Sequence, residues 1–354
     1  MRTGLTIQLF SLIVIFSACN IENPIPDPIE NPEYANWIIP KNEIITRGSY
    51  DDFIPSIDHP NFIPVSSADH VLPEDLVLGI SIKGEYRAYP LTILNYHEVI
   101  NEEFASGKVM ISYCPLSGSS AAWSRSLQGI SSAFGVSKFI YNSNHLLYDR
   151  VSKGHWLPLV YKCVNGELEG YTMDAFNIIE TTFENWKTTF PSSQVLSEPK
   201  GFTYNYLYDQ YSGYRNSDTL YYSINPFNTM LPPKQKVHGI IVNKRMKAYK
   251  YTSFGDSTTI ITDNFQGLSI IVIGDQSKGY VVSFERRIPG GPELDFMPSN
   301  DPQNIIIQDN EGNKYDIFGL AVDGPRKGQA LQPTQSISGY WFAIAAIYPD
   351  PILY

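Results

Sequence analysis

The 354-residue chain carries 26 Lys and Arg against 36 Asp and Glu, a formal charge of -10 with no basic run, which argues against a phosphate-binding face and a nucleic-acid partner. Hydrophobic residues at 43% and aromatics at 13% suffice for two ordinary domains or one large one with a buried core. The 24 tyrosines and 18 phenylalanines favour sheet over helix, because flat amphipathic rings pack well on a pleated surface.

The first twenty residues read "MRTGLTIQLFSLIVIFSACN": Arg2, an uncharged apolar stretch to about Phe16, then Ser17-Ala18-Cys19. The layout is that of a secretory signal, and the small pair before cysteine resembles the lipobox of bacterial lipoproteins. The apolar run is short against the roughly 20 residues that span a bilayer. The expectation is a signal peptide over residues 1–18, lipidation (palmitate included) at Cys19, a membrane contact through that lipid and a location in the bacterial cell envelope. Cys114 and Cys163 then remain, which allows one bridge or two free thiols but no disulfide scaffold. Residues 19–36 repeat Pro and Asn without apolar periodicity, as an extended tether does.

From Trp37 onward, short strand-like runs alternate with turn clusters: "LVLGISI", "YRAYPL", "KVMISYC" and "KFIYNSNHLLYDR". "ETTFENWKTTF" predicts a helix with a Thr cap, ending at Pro191. "DQSKG", "DNEGN" and "NSD" read as hairpin turns. The expected fold class is α+β and β-rich, mostly antiparallel sheet with a few helices.

The chain also resembles itself. "LVLGISIKGEYRAYPL" from Leu76 aligns with "KVHGIIVNKRMKAYKY" from Lys236, so that Gly79 meets Gly239 and Ala88-Tyr89 meets Ala248-Tyr249 at a step of 160 residues. One residue further on, Phe104 meets Phe265 and Arg125 meets Arg286. An internal duplication is the expectation, with a first half over 37–231 and a second, degenerate half over 232–354. A residue needed only for the shared framework should occur in both copies. His97 and Cys114 occur in the first alone, which favours a local role for them.

In "NYHEVINEEF", His97 is a candidate base or ligand or else a satisfied structural histidine, and strand alternation would turn Glu98 to the opposite face. In "SYCPLSGSS", Pro115 stops the ladder, so Cys114 should end its strand. A thiolate there needs backbone N–H groups or a nearby cation, whereas a buried cysteine is simply a small hydrophobe. Asp149 could orient His97 or His155 by accepting a ring N–H, but Asn142, Asn144 and Asp149 also suit turns.

Together "AYPLTILNYHEVIN", "ISYCPLSGSSAAWSR", "FGVSKFIYNSNHLLYDRVSKGHW" and "NWKTTFPSSQVL" resemble domain-of-unknown-function family 3179, strongly over residues 70–200 and more weakly beyond. The resemblance places family motif positions on His97, Glu98, Cys114, Pro115, Ser137, Asn142, Ser143, Asn144, Tyr148, Asp149, Arg150 and Trp156. Selenoprotein members imply redox use of the cysteine motif. This chain has Ser117 where the family has a second cysteine, and His145 where an aliphatic residue is usual.

Three readings follow. One is a single-thiol redox site with Cys114 as reactive atom, assisted by His97 and Asp149. Another is a metal module built from Cys114, His97 and His145. The third is a noncatalytic binding or structural lipoprotein with a degraded site. Cofactor, substrate and molecular partner are unassigned.

Overall fold

The computed structural model describes residues 36–288, 290–299 and 305–354, so Cys19, the signal segment and nearly all of the tether lie outside the described residues. The protein is β-rich and mostly antiparallel, as the composition indicates. The runs read as strands form strands: Leu76–Ile82, Glu85–Pro90 and Gly107–Cys114, the last ending at the cysteine because Pro115 has no N–H to give. The helices are α1 (Leu91–His97), α2 (Phe183–Thr189), α3 (Ser212–Arg215) and α4 (Trp341–Ile347). Thr182 caps α2 by accepting from the Asn185 N–H, as its sequence implied. "NSD" is not a hairpin turn; it follows α3 in an irregular connector, with no strand on either side to join.

Two sheets share one strand order. In the first, Ile178–Thr182, Leu76–Ile82, Glu85–Pro90 and Gln194–Leu196 lie side by side, with Phe62–Pro64 added at the edge. In the second the order is Ser336–Tyr340, Lys236–Val242, Arg245–Lys250 and Ile352–Leu353. Each has an antiparallel outer strand, a central hairpin and a parallel last strand. α2 leaves the outer strand of the first sheet and α4 that of the second. Each hairpin is followed by a three-stranded meander: Val99–Phe104, Gly107–Cys114 and Ser119–Ser124 in the first half, Thr259–Phe265, Leu268–Asp275 and Tyr280–Glu285 in the second.

Gly79 shows why the first hairpin needs its glycine. A Cβ there would lie 2.0 Å from the Trp186 ring of α2, so the helix seats its largest side chain on bare backbone. At Gly239 the nearest neighbour of such a Cβ would be the flexible Met246 side chain of the adjoining strand, at 2.6 Å, and no helix-borne ring.

The halves also exchange loops. After Cys114, the turn presents the Ser117 carbonyl to the Tyr340 N–H at 2.7 Å; in the other half, the Lys278 carbonyl takes the Thr182 N–H at 2.9 Å. Each meander turn thus closes on the outer strand of the opposite sheet.

Candidate functional site

His97 and Glu98 part company at the end of α1. His97 is the last helical residue and Glu98 turns left-handed at φ 56°, so the two side chains leave the backbone in different directions. The expectation of strand alternation fails here because a helix terminus, and no strand, carries the pair. The consequence is an exchange of roles: Glu98 reaches the cysteine site and His97 does not.

Both nitrogens of His97 are occupied elsewhere. Nδ1–H donates to the Pro55 carbonyl at 2.8 Å, leaving Nε2 to accept from the Tyr206 hydroxyl at 2.7 Å. Phe202 and Tyr204 pack edge-on against the ring. Burial lowers its pKa, so it is a neutral, fully paired histidine.

Glu98 is the centre of a buried ion-pair cluster. Arg47 grips its carboxylate with two nitrogens, at 2.8 and 3.2 Å, and His145 Nδ1–H donates to it at 2.7 Å. His145 Nε2 in turn meets Ser112 Oγ at 3.0 Å, two residues before Cys114 on the same strand. Burial opposes the charge on Glu98, but Arg47 and His145 outweigh it and hold the carboxyl well below its usual range. His145 is therefore a partner of Glu98.

Cys114 borders this cluster with 1% of its surface exposed, and its thiol points to the Ser143 carbonyl at 3.8 Å. Burial raises its pKa and the Glu98 charge adds to that; the Ser117 hydroxyl and the backbone N–H groups of His145 and Ser117 pull the other way without prevailing. Cys114 and Cys163 are both free and buried, and Cys163 is pushed up to about 12, chiefly by burial. Above Cys114 lies the connector between the halves: Tyr214 donates to the Leu116 carbonyl at 2.9 Å, and Ser143 donates to the Tyr222 carbonyl at 3.3 Å. Asn142 exchanges two hydrogen bonds with the Asn225 backbone. Arg47 and these tyrosines escape a reading of the sequence because they lie far from the motif in the chain and carry no spacing signal.

Several motif residues serve a different purpose. Ser137 holds Asp51, Tyr148 holds Asp52, and Arg150 holds Asp52, Asp58 and Ser56. They clamp the segment that brings Arg47 to Glu98 and the Pro55 carbonyl to His97. Asn144 donates to the Asn142 carbonyl across a tight turn whose central residues, Asn142 and Ser143, both have positive φ. Pro115 is buried at the strand end.

Asp149 orients neither His97 nor His155. Its carboxylate accepts from the backbone of Val151 and Ser152, from the hydroxyls of Ser132 and Ser152, and from the Trp156 indole at 3.1 Å. His155 bonds Asn165 instead. Asp309, 160 residues on, repeats the arrangement: it accepts from the backbone of Glu311 and Asn313 and from the Tyr315 hydroxyl. Asp149 thus holds a turn, as Asp309 does.

The metal reading loses its ligand set. Among the described residues no group of three or more His, Cys, Asp or Glu could hold a metal ion, and the ring nitrogens of His97 and His145 are all engaged. No described helix is long and apolar enough to cross a membrane.

The arrangement defines a β-rich protein of two similarly ordered halves, with a sealed cysteine beside an Arg–Glu–His cluster. The family model described as Protein of unknown function (DUF3179) matches residues 51–351, and the chain belongs to that family. No curated protein and no solved structure matches the chain.

Proposed function

We propose that this chain is a lipid-anchored protein of the bacterial cell envelope that binds a ligand and does not cycle electrons through its cysteine. The observation that carries this reading is the state of Cys114: buried, with its pKa raised, beside a buried carboxylate that Arg47 keeps charged. A thiol enzyme needs thiolate at working pH, and each dominant influence here opposes it. Ser117 in place of the family's second cysteine agrees, since it removes the neighbouring resolving thiol. The anchor rests on Cys19 and its flanking pattern, and replacing Cys19 by alanine should release the protein from the membrane fraction. The matched strand orders and the 160-residue step support descent of the halves from one duplicated unit.

The competing single-thiol redox reading draws on the N–H groups of His145 and Ser117 near the sulfur, which would favour a thiolate if the connector opened. Iodoacetamide labelling of the native mature protein across pH 6 to 9 separates the two. No labelling of Cys114 in the native state, with full labelling in urea, is the expected result. Labelling at neutral pH would sink the binding reading and favour the thiol enzyme.

A further inference from the structure

Where the halves meet, a cavity of about 370 Å³ takes matched parts of its lining from both, with Glu180 from the outer strand of one sheet and Ser338 from that of the other. Its inner wall is a chain of hydroxyls around one imidazole. His238 lies 2.7 Å from Ser283 Oγ and 2.9 Å from Ser338 Oγ; Ser283 continues to Thr334 Oγ1 at 2.6 Å, and Tyr251 donates to Ser338 at 3.1 Å. Burial lowers the His238 pKa to about 4, so the ring is neutral, and its two nitrogens, both engaged, orient the hydroxyls of Ser283 and Ser338. Glu180, the charged side chain in the lining, is already paired with Lys236. The remaining wall includes apolar Phe176 and Ile337, while Ala175 and Gln335 at the rim are exposed.

The polar wall is not a requirement of the fold. At the matching positions of the first half, Leu78 stands for His238 and Ala122 for Ser283, both buried and apolar. The second copy therefore places an imidazole and a hydroxyl, at a desolvation cost, where hydrocarbon serves equally well.

We propose that this cavity binds a neutral, polyhydroxylated small molecule, a monosaccharide or cyclic polyol. Its hydroxyls would exchange hydrogen bonds with the wall's hydroxyl groups, each with two lone pairs and one O–H, and its C–H face would lie on Phe176 and Ile337. The volume suits a small ligand, since such sites run from roughly 300 to 1,000 Å³. An anion would meet no unpaired cation among the lining residues, and a cation would compete with Lys236 for Glu180.

The inference gives the binding reading its site, and it is tested separately. Isothermal titration calorimetry on the mature protein would use glucose, N-acetylglucosamine and myo-inositol, with glucosamine and glucuronate as charged counterparts. A neutral compound should bind at least about tenfold more tightly than the charged ones, the equivalent of roughly 1.4 kcal/mol. Ala175→Trp at the exposed rim should abolish that binding while leaving the melting temperature unchanged, and Ser338→Ala should weaken it about tenfold. Binding by none of the neutral compounds, equal binding of the charged ones, or binding indifferent to Ala175→Trp would each overturn the proposal. Cys114 labelling on the same sample distinguishes failure of the site from failure of the function: a reactive thiol refutes the function reading and leaves sugar binding to decide this one.

Discussion

Replacing Arg47 by methionine isolates what holds the cysteine site together. The side chain of Glu98 has no exposed surface, and Arg47 supplies its two guanidinium bonds, at 2.8 and 3.2 Å. Removing one partner of such a pair leaves a buried charge uncompensated, a loss of about 3–5 kcal/mol. The double variant Arg47→Met/Glu98→Gln removes the stranded charge and should recover at least about 1 kcal/mol of that. The pH dependence follows in sign. Glu98 has its pKa depressed in the fold, so its contribution is present above the unfolded value near 4.5 and is lost as pH falls toward the folded one. The gap between wild type and Arg47→Met should therefore be widest at pH 7 and narrow at pH 3. Urea denaturation of wild type, single and double variants at pH 7, 5 and 3 measures this. A cost below about 1 kcal/mol would refute the ion-pair account. So would a double variant no better than the single, which would leave Arg47 packing on Phe53, 5.3 Å from the ring centroid, as the whole effect.

Other predictions use the same protein. His238 is neutral in the fold, so between pH 6.5 and about 4 the unfolded chain takes a proton that the folded one refuses, and roughly 3 kcal/mol of stability should drain away as pH falls. His238→Gln should flatten that slope, and an unchanged slope in urea titrations would contradict the burial argument. Asp149→Asn and Asp309→Asn should each cost about 1.5–3 kcal/mol by weakening charged turn contacts, and ligand binding should survive both. A loss of binding with little loss of stability for Asp149→Asn would restore it to a functional site. Gly79→Ala drives a methyl into Trp186 and should cost about 1–3 kcal/mol by thermal melting; a neutral result would mean that α2 can shift freely.

The strands and the capped helix were legible because their causes are local. The continuous apolar run "LVLGISI", the proline after Cys114, the Thr182 cap and the Asn142–Ser143 turn each act within a few residues. The glycine of the first hairpin has a visible cause, because a Cβ at Gly79 would collide with the Trp186 ring. The candidate site was only half legible. The end of the strand at Cys114 follows from Pro115, but a left-handed turn at Glu98 exchanged the expected roles of two adjacent residues. Arg47 arrived through a segment clamped by Ser137, Tyr148 and Arg150, a purpose that no spacing announces.

The sequence by itself determined the strand-rich class and most of the hairpins, because backbone sterics and local burial are short-range. The tertiary structure alone decided that Glu98 and His145 meet beside Cys114, that His97 turns toward Pro55 and Tyr206, and that the halves enclose a hydroxyl-lined cavity around His238. Those contacts join residues tens to hundreds of positions apart. Only packing fixes which buried polar groups will satisfy one another.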